Sequence, residues 1–153
     1  MTAALIIAVT VLILDQVTKF LISTNMVLFE DIPVISGFFH ITYVQNTGMA
    51  WSMLSGQQLL LSLAAFAAIG VMLWYLMYRR PDRITTISIG FMMAGAAGNL
   101  IDRLVFSYVR DFLNFYIFGY DFPVFNVADI ALCLGVGLLI LDAFLEERKE
   151  KAV

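Results

Sequence analysis

Asp129 stands in the stretch FNVADIALC, residues 125–133, inside an apolar run that extends over residues 124–141. An ionised side chain in hydrocarbon costs about 3 kcal/mol or more, so a carboxylate there marks a functional site unless a partner accounts for it. No basic residue lies within one helical turn of Asp129, which must therefore hold a proton or meet a group from elsewhere in the chain. Asn126 precedes it by three residues and falls on the same helical face. Asn99 with Arg103, and Asp15 with Lys19, share faces in the same way at i,i+4.

Two carboxylates in one partly dry pocket do not both ionise easily, and they share a proton. One can then act as base toward a water while the other, as acid, polarises a carbonyl, which is the logic of an aspartic protease. Asp111 is the leading partner for Asp129, because it follows the third apolar run by a few residues and can fold back over the mouth of the fourth; Asp102 and Asp15 are its rivals. Plainer readings stand beside these. Asp15 and Lys19 can simply neutralise each other, and Asp102-Arg103 can mark the membrane interface, where arginine snorkels. His40 reads as a surface or packing residue rather than a ligand. Met72, Met77, Met92 and Met93 read as lipid-facing or core filler, and the single cysteine, Cys133, as an inert packing residue.

The elements that must position these groups are membrane helices. The chain has 153 residues, one domain's worth, of which 61% are hydrophobic and 14% charged, and its mean hydropathy is +0.90. These values lie far outside the range of soluble domains. Four apolar runs are long enough to cross a bilayer, over residues 3–22, 59–78, 84–103 and 124–141. Arg79, Arg80 and Arg83 lie between the second and third, and Arg148, Lys149 and Lys151 follow the fourth, so the middle loop and both ends should face the cytoplasm. No basic residue precedes the first run and no small-x-small cleavage site follows it, which argues against a cleaved signal peptide.

Residues 23–58 and 104–123 are then the outer segments. Residues 38–44 read as strand, a small β element resting on the bilayer. Phe106, Tyr108, Phe112, Phe115, Tyr116, Phe118, Tyr120 and Phe122 make the second outer segment an aromatic interfacial loop. At 1.5 Å of rise per residue, Asp15 and Lys19 lie in the outer half of the first helix, Asn99, Asp102 and Arg103 in the last turns of the third, and Asn126 and Asp129 only ~3–8 Å into the fourth. The polar groups of these three helices meet in one outer layer. Gly90, Ala94 and Gly98 form a small-residue stripe that admits a neighbouring helix to the third. The fold class is thus an all-α bundle of four transmembrane helices with a small outer β element.

Other chemistries lack their residues. A single His40 supplies neither a Ser-His-Asp nor a Cys-His arrangement, no phosphate-binding loop is present, no His cluster suits a transition metal, and no basic stripe suits nucleic acid. A proton-coupled carrier would also need buried carboxylates, but carriers place them near the midplane between repeats. A purely structural membrane protein explains the helices and not the clustered polar residues.

The chain resembles the lipoprotein signal peptidase, or signal peptidase II, family over nearly its whole length. The motifs are DQVTK at 15–19, NTGMAW at 46–51, GAAGNLIDR at 95–103, VRDF at 109–112 and FNVAD at 125–129, in the family's order. The resemblance implies that Asp111 and Asp129 are a catalytic pair without metal or cofactor. It implies that Asn99, Arg103, Asn126 and Ala128 shape the pocket, that Asp15 and Lys19 support it, and that Asn46 and Gly48 come from the outer β element to hold substrate. The implied substrate is a bacterial prolipoprotein bearing a diacylglyceryl cysteine, cut just before that cysteine in the cytoplasmic (inner) membrane, with the active site toward the outer face. Membrane lipid and globomycin-type peptide inhibitors are the other implied partners. Met49 and Ile130 depart from the family's usual small residues and bear on pocket shape.

Overall fold

All four apolar runs fold as helices in a computed structural model that describes residues 1–49, 51 and 53–151. They are α1, Thr2–Asn25, α2, Gln58–Tyr78, α3, Arg83–Phe106, and α4, Val127–Lys151. Each carries a window long and apolar enough to cross a membrane. Ala50, within the NTGMAW motif, and the side chain of Lys149 lie outside the described residues.

Most of the apolar window of α3 is buried, whereas α1, α2 and α4 expose most of theirs. Helix α3 is therefore the central element, and it packs against the other three. Lipid is as apolar as leucine, so close packing rather than hydrophobic burial must hold these helices together. Glycines permit it. A Cβ added to Gly90 would come within 3.0 Å of the Ala4 Cα of α1, and one added to Gly95 within 2.6 Å of Leu132 Cγ of α4. The Gly90–Gly98 stripe is thus the seat of α1, and Gly95, one residue off the stripe, seats α4. Asp82 caps α3, its carboxylate accepting from the N–H groups of Ile84 at 2.6 Å and Thr85 at 3.1 Å. Ser107 ends the helix in the left-handed region at φ 65°.

The outer segments build one antiparallel sheet in the order β1-β2-β3-β4, from β1, Asp31–Ile35, β2, Phe39–Asn46, β3, Val109–Ile117, and β4, Tyr120–Asp121. The strand expected at residues 38–44 is β2. The segment expected as an aromatic loop, residues 104–123, is instead largely strand, because Val109–Ile117 pairs antiparallel with β2, from Val109 opposite Asn46 to Phe115 opposite Phe39. Its aromatics cross-link the sheet: Phe115 stacks on Phe39 at 4.6 Å and on Phe125 at 5.7 Å.

Helix α4 begins three residues after the start of the fourth apolar run, residues 124–141, and continues beyond its end to Lys151. The main chain of Phe125 is taken by β3, accepting from Phe112 at 3.0 Å and Leu113 at 2.8 Å and donating to Leu113 at 3.0 Å. This pairing brings the start of α4 beside Asp111.

Candidate active site

Asp129 is the third residue of α4, and Asn126 is the residue before the helix. The Asn126 side-chain oxygen accepts from the Asp129 N–H at 3.0 Å, and the Asp129 carboxylate accepts from the Asn126 N–H at 3.1 Å. This reciprocal capping box satisfies two N–H groups that a helix start leaves free and fixes the Asp129 rotamer. The other Asp129 oxygen accepts from Asn99 Nδ2 at 2.8 Å.

Asp111 reaches the same place from β3. One of its oxygens accepts from Asn126 Nδ2 at 2.6 Å and the other from Asn46 Nδ2 at 3.0 Å. Val44 lies opposite Asp111 in the β2–β3 register, which places Asn46, two residues on, within reach. Asn126 thus touches both carboxylates. Burial, and then the charge of Asp129, push the Asp111 carboxyl up to about 7, against the opposing pull of the Asn46 and Asn126 amides and of Lys19.

Both carboxylates line a cavity of about 570 Å³ with Asn46, Gly48, Asn99 and Arg103. Its walls are apolar and include Val109, Phe122, Val124, Phe125, Leu132 and Leu134, with Met49 and Ile130 among them. Arg103 donates to the Gly48 carbonyl at 3.0 Å, tying α3 to the segment after β2, while its Nε is buried without a partner among the described residues. Trp51 covers one side, its ring N–H donating to the Tyr120 hydroxyl at 3.3 Å. Cys133, expected as a packing residue, is exposed and lines the cavity, because it stands one helical turn after Asp129 on the same face.

The rival partners of Asp129 lie elsewhere. Asp15, Lys19 and Asp102 are fully buried and line no part of this cavity. Lys19 Nζ is 3.0 Å from Asp15 and 3.6 Å from Asp102, and it donates to Asn99 Oδ1 at 3.0 Å. Asp15 also accepts from the Ala128 N–H at 2.9 Å, so α1 holds the first turn of α4. The Asp15–Lys19 pair therefore does more than neutralise itself. By accepting from Lys19, the Asn99 oxygen turns its NH₂ toward Asp129.

Two residues of this arrangement were not singled out from the sequence. Gln16 donates to Asp15 at 3.0 Å and accepts from Arg110 at 3.1 Å. Arg110 forms a fork with Asp102 at 2.7 and 3.1 Å. Strand alternation was the available signal, since it sends Arg110 to the face opposite Asp111. His40, read as surface or packing, pairs through Nδ1 with Asp31 at 2.7 Å on the exposed part of the sheet. Among the described residues no group of three or more His, Cys, Asp or Glu side chains could hold a metal ion.

Known proteins share this architecture. A family model described as signal peptidase (SPase) II matches residues 7–145. The lipoprotein signal peptidase of Symbiobacterium thermophilum is 44% identical over 153 residues, covering 97% of this chain and 99% of that protein. That of Bacillus subtilis is 40% identical over 146 residues, covering 95% of each. Two solved structures, each described as a bacterial membrane enzyme, superpose with TM-scores of 0.91 and 0.85 at 37% identity; the first covers 99% of this chain and 92% of that one, the second 94% and 93%. With the match running through all four helices and the sheet between them, the chain belongs to the signal peptidase II family.

Proposed function

We propose that this protein is an aspartic endopeptidase that removes signal peptides from bacterial prolipoproteins, with Asp111 and Asp129 as its catalytic residues. The observation that carries the reading is that both carboxylates line one cavity and are joined through the single side chain of Asn126. Membership of the family, and the name lipoprotein signal peptidase that its relatives carry, support this substrate class.

The chemistry follows from the geometry. Two N–H donors and the N-terminus of α4 complement negative charge on Asp129, while buried Asp111 keeps the proton near neutrality. A water between them gives a proton to Asp129 as its oxygen attacks the scissile carbonyl carbon, and Asp111 protonates the carbonyl oxygen. Collapse of the tetrahedral adduct breaks the C–N bond, with Asp129 returning its proton to the amine and Asp111 recovering one from the adduct. The floor of polar residues fits the peptide backbone. The apolar wall reaches Ile130 and Leu134, which are also exposed on the lipid-facing side of α4, and this suits acyl chains entering from the bilayer.

Cleavage just before a diacylglyceryl cysteine places that lipid in the bilayer and the bond at its edge. With the basic residues after α2 and at the end of α4 in the cytoplasm, the chain is one integral unit of the inner membrane whose site opens outward. A globomycin-type peptide would compete in the same cavity.

The test compares a precursor carrying the diacylglyceryl cysteine with the same precursor unmodified, using the full chain in lipid and its Asp129→Asn variant. Cleavage of the lipidated precursor alone, by the wild type alone, is expected. An Asp129→Asn protein as active as wild type would remove the two-aspartate mechanism.

A further inference from the structure

Behind the cavity lies a second set of charges that none of the steps above uses. Asp15, Lys19 and Asp102 are fully buried, and Arg110 is 5% exposed. Asp102 accepts from three N–H groups of the one residue Arg110: its main chain at 2.9 Å, Nε at 3.1 Å and a terminal nitrogen at 2.7 Å. The guanidinium also lies 4.6 Å from the centre of the Phe106 ring. Two negative and two positive side chains balance, and Lys19 links them to Asn99, the donor to Asp129.

We infer that Arg110 is a positioning residue for the two catalytic aspartates, fixing β3 one residue before Asp111 and keeping the buried cluster behind them neutral. The geometry gives both parts. A main-chain N–H bonded to Asp102 sets where β3 leaves the end of α3, and Asp111 is the next residue on the opposite face. Without the guanidinium, Asp15 and Asp102 would face Lys19 alone, and the excess negative charge would lie beside Asp111. The other ionisable groups around the cluster are Arg103 on α3, Asp129 on α4, Tyr43 on β2 and Tyr108 just before β3, so no further cation in this set could replace Arg110 except Arg103, which is engaged with Gly48.

The inference rests on the two-aspartate reading, and the pH profile of kcat/KM separates the two. An active form with one shared proton gives a profile with two limbs. Arg110→Met, which keeps length and loses charge, should move both limbs up by about one pH unit, the displacement a unit charge produces at roughly 10 Å in a protein interior. Asp102→Asn should move them down, and the double variant, neutral again, should bring them back. Arg110→Lys retains the charge without the fork, so its limbs stay in place while kcat falls.

These measurements use the full chain in detergent or lipid with the lipidated precursor. Limbs unmoved in a folded Arg110→Met protein, or not restored in the double variant, would overturn the inference while leaving the wild-type profile two-limbed. If Arg110→Met does not fold, displaced limbs in Arg110→Lys would overturn it equally. A wild-type profile without two limbs, or an active Asp111→Asn protein, would instead remove the two-aspartate reading itself.

Discussion

Asn126 and Asp129 cap each other at the start of α4, each accepting from the other's main-chain N–H at 3.0 and 3.1 Å. The proposed catalytic carboxylate is thereby also part of the helix-start hydrogen bonding, and its rotamer is fixed before any substrate arrives. Asp129→Asn should lower cleavage by about 10³-fold or more while the protein still inserts, since the side chain keeps its shape and loses its acid-base chemistry. Asn126 separates the two roles. Asn126→Ala should lose about 1 kcal/mol of stability with the cap, whereas Asn126→Ser keeps a capping oxygen and loses the donor to Asp111. Thermal unfolding of the serine variant near wild type, with cleavage reduced about fivefold for the roughly 1 kcal/mol of the lost hydrogen bond to the Asp111 carboxyl, is the expected pair of results. Equal cleavage by Asn126→Ser and wild type would show that the bond to Asp111 is dispensable.

With Asp111 as a proposed catalytic residue, both activity and stability should depend on pH. Its carboxyl lies at about 7 against an ordinary value of 3.8, so between these values the folded protein binds more protons than the unfolded chain. Stability should therefore fall as pH rises through this window, and the alkaline limb of kcat/KM should stand near the upper end of it. Asp111→Asn should be inactive, and its Tm should decline less between pH 5 and pH 8 than that of wild type. A variant whose Tm falls as steeply as wild type would place the titrating group elsewhere.

The helices were legible because 18 or more consecutive apolar residues have few alternatives in a chain of this composition. The outer sheet was less so. Only residues 38–44 showed a strand pattern, whereas Val109–Ile117 mixes Arg110, Asp111 and Asn114 with aromatics and so resembles an interfacial loop. Those polar residues belong in the strand because its faces meet two polar sites, Asp111 toward the cavity and Arg110 toward Asp102. Pairing with Asp129 could not be read from spacing for the same reason: Asp111, Asp102 and Asp15 all come to the outer layer, and only tertiary contacts show that two of them are consumed by Lys19 and Arg110. The start of α4 was misplaced because Phe125, apolar like its neighbours, spends its main chain on β3.

Trp51 and Tyr120 join the segment after β2 to β4 across the side of the cavity, and Trp51 also meets Phe122 edge-on at 6.3 Å. Tyr120→Phe removes the hydroxyl alone, about 1 kcal/mol, and should raise KM by about fivefold with kcat little changed. Trp51→Ala removes the ring as well and should raise KM further. Steady-state kinetics with the lipidated precursor checks the order; a fall in kcat at constant KM would mean that Trp51 acts on the chemistry and not on holding substrate.

Gly95 and Gly137 give opposite expectations for the same substitution. An added Cβ at Gly95 would press on the Ala128 carbonyl and come within 2.6 Å of Leu132 Cγ, while at Gly137 nothing lies within 4 Å. Gly95→Ala must push α4 away from α3 at the residue next to Asp129, an overpacking cost of about 1–3 kcal/mol. Because Ala128 also donates to Asp15, that displacement should weaken the hold of α1 on α4. Cleavage should then fall more than stability alone predicts. Gly137→Ala should stabilise its helix by about 0.5–1 kcal/mol through reduced backbone freedom, leaving cleavage unchanged. Thermal unfolding and kcat measured on both variants decide the matter. Equal effects at the two positions would show that the close α3–α4 approach at Gly95 does not govern where Asp129 stands.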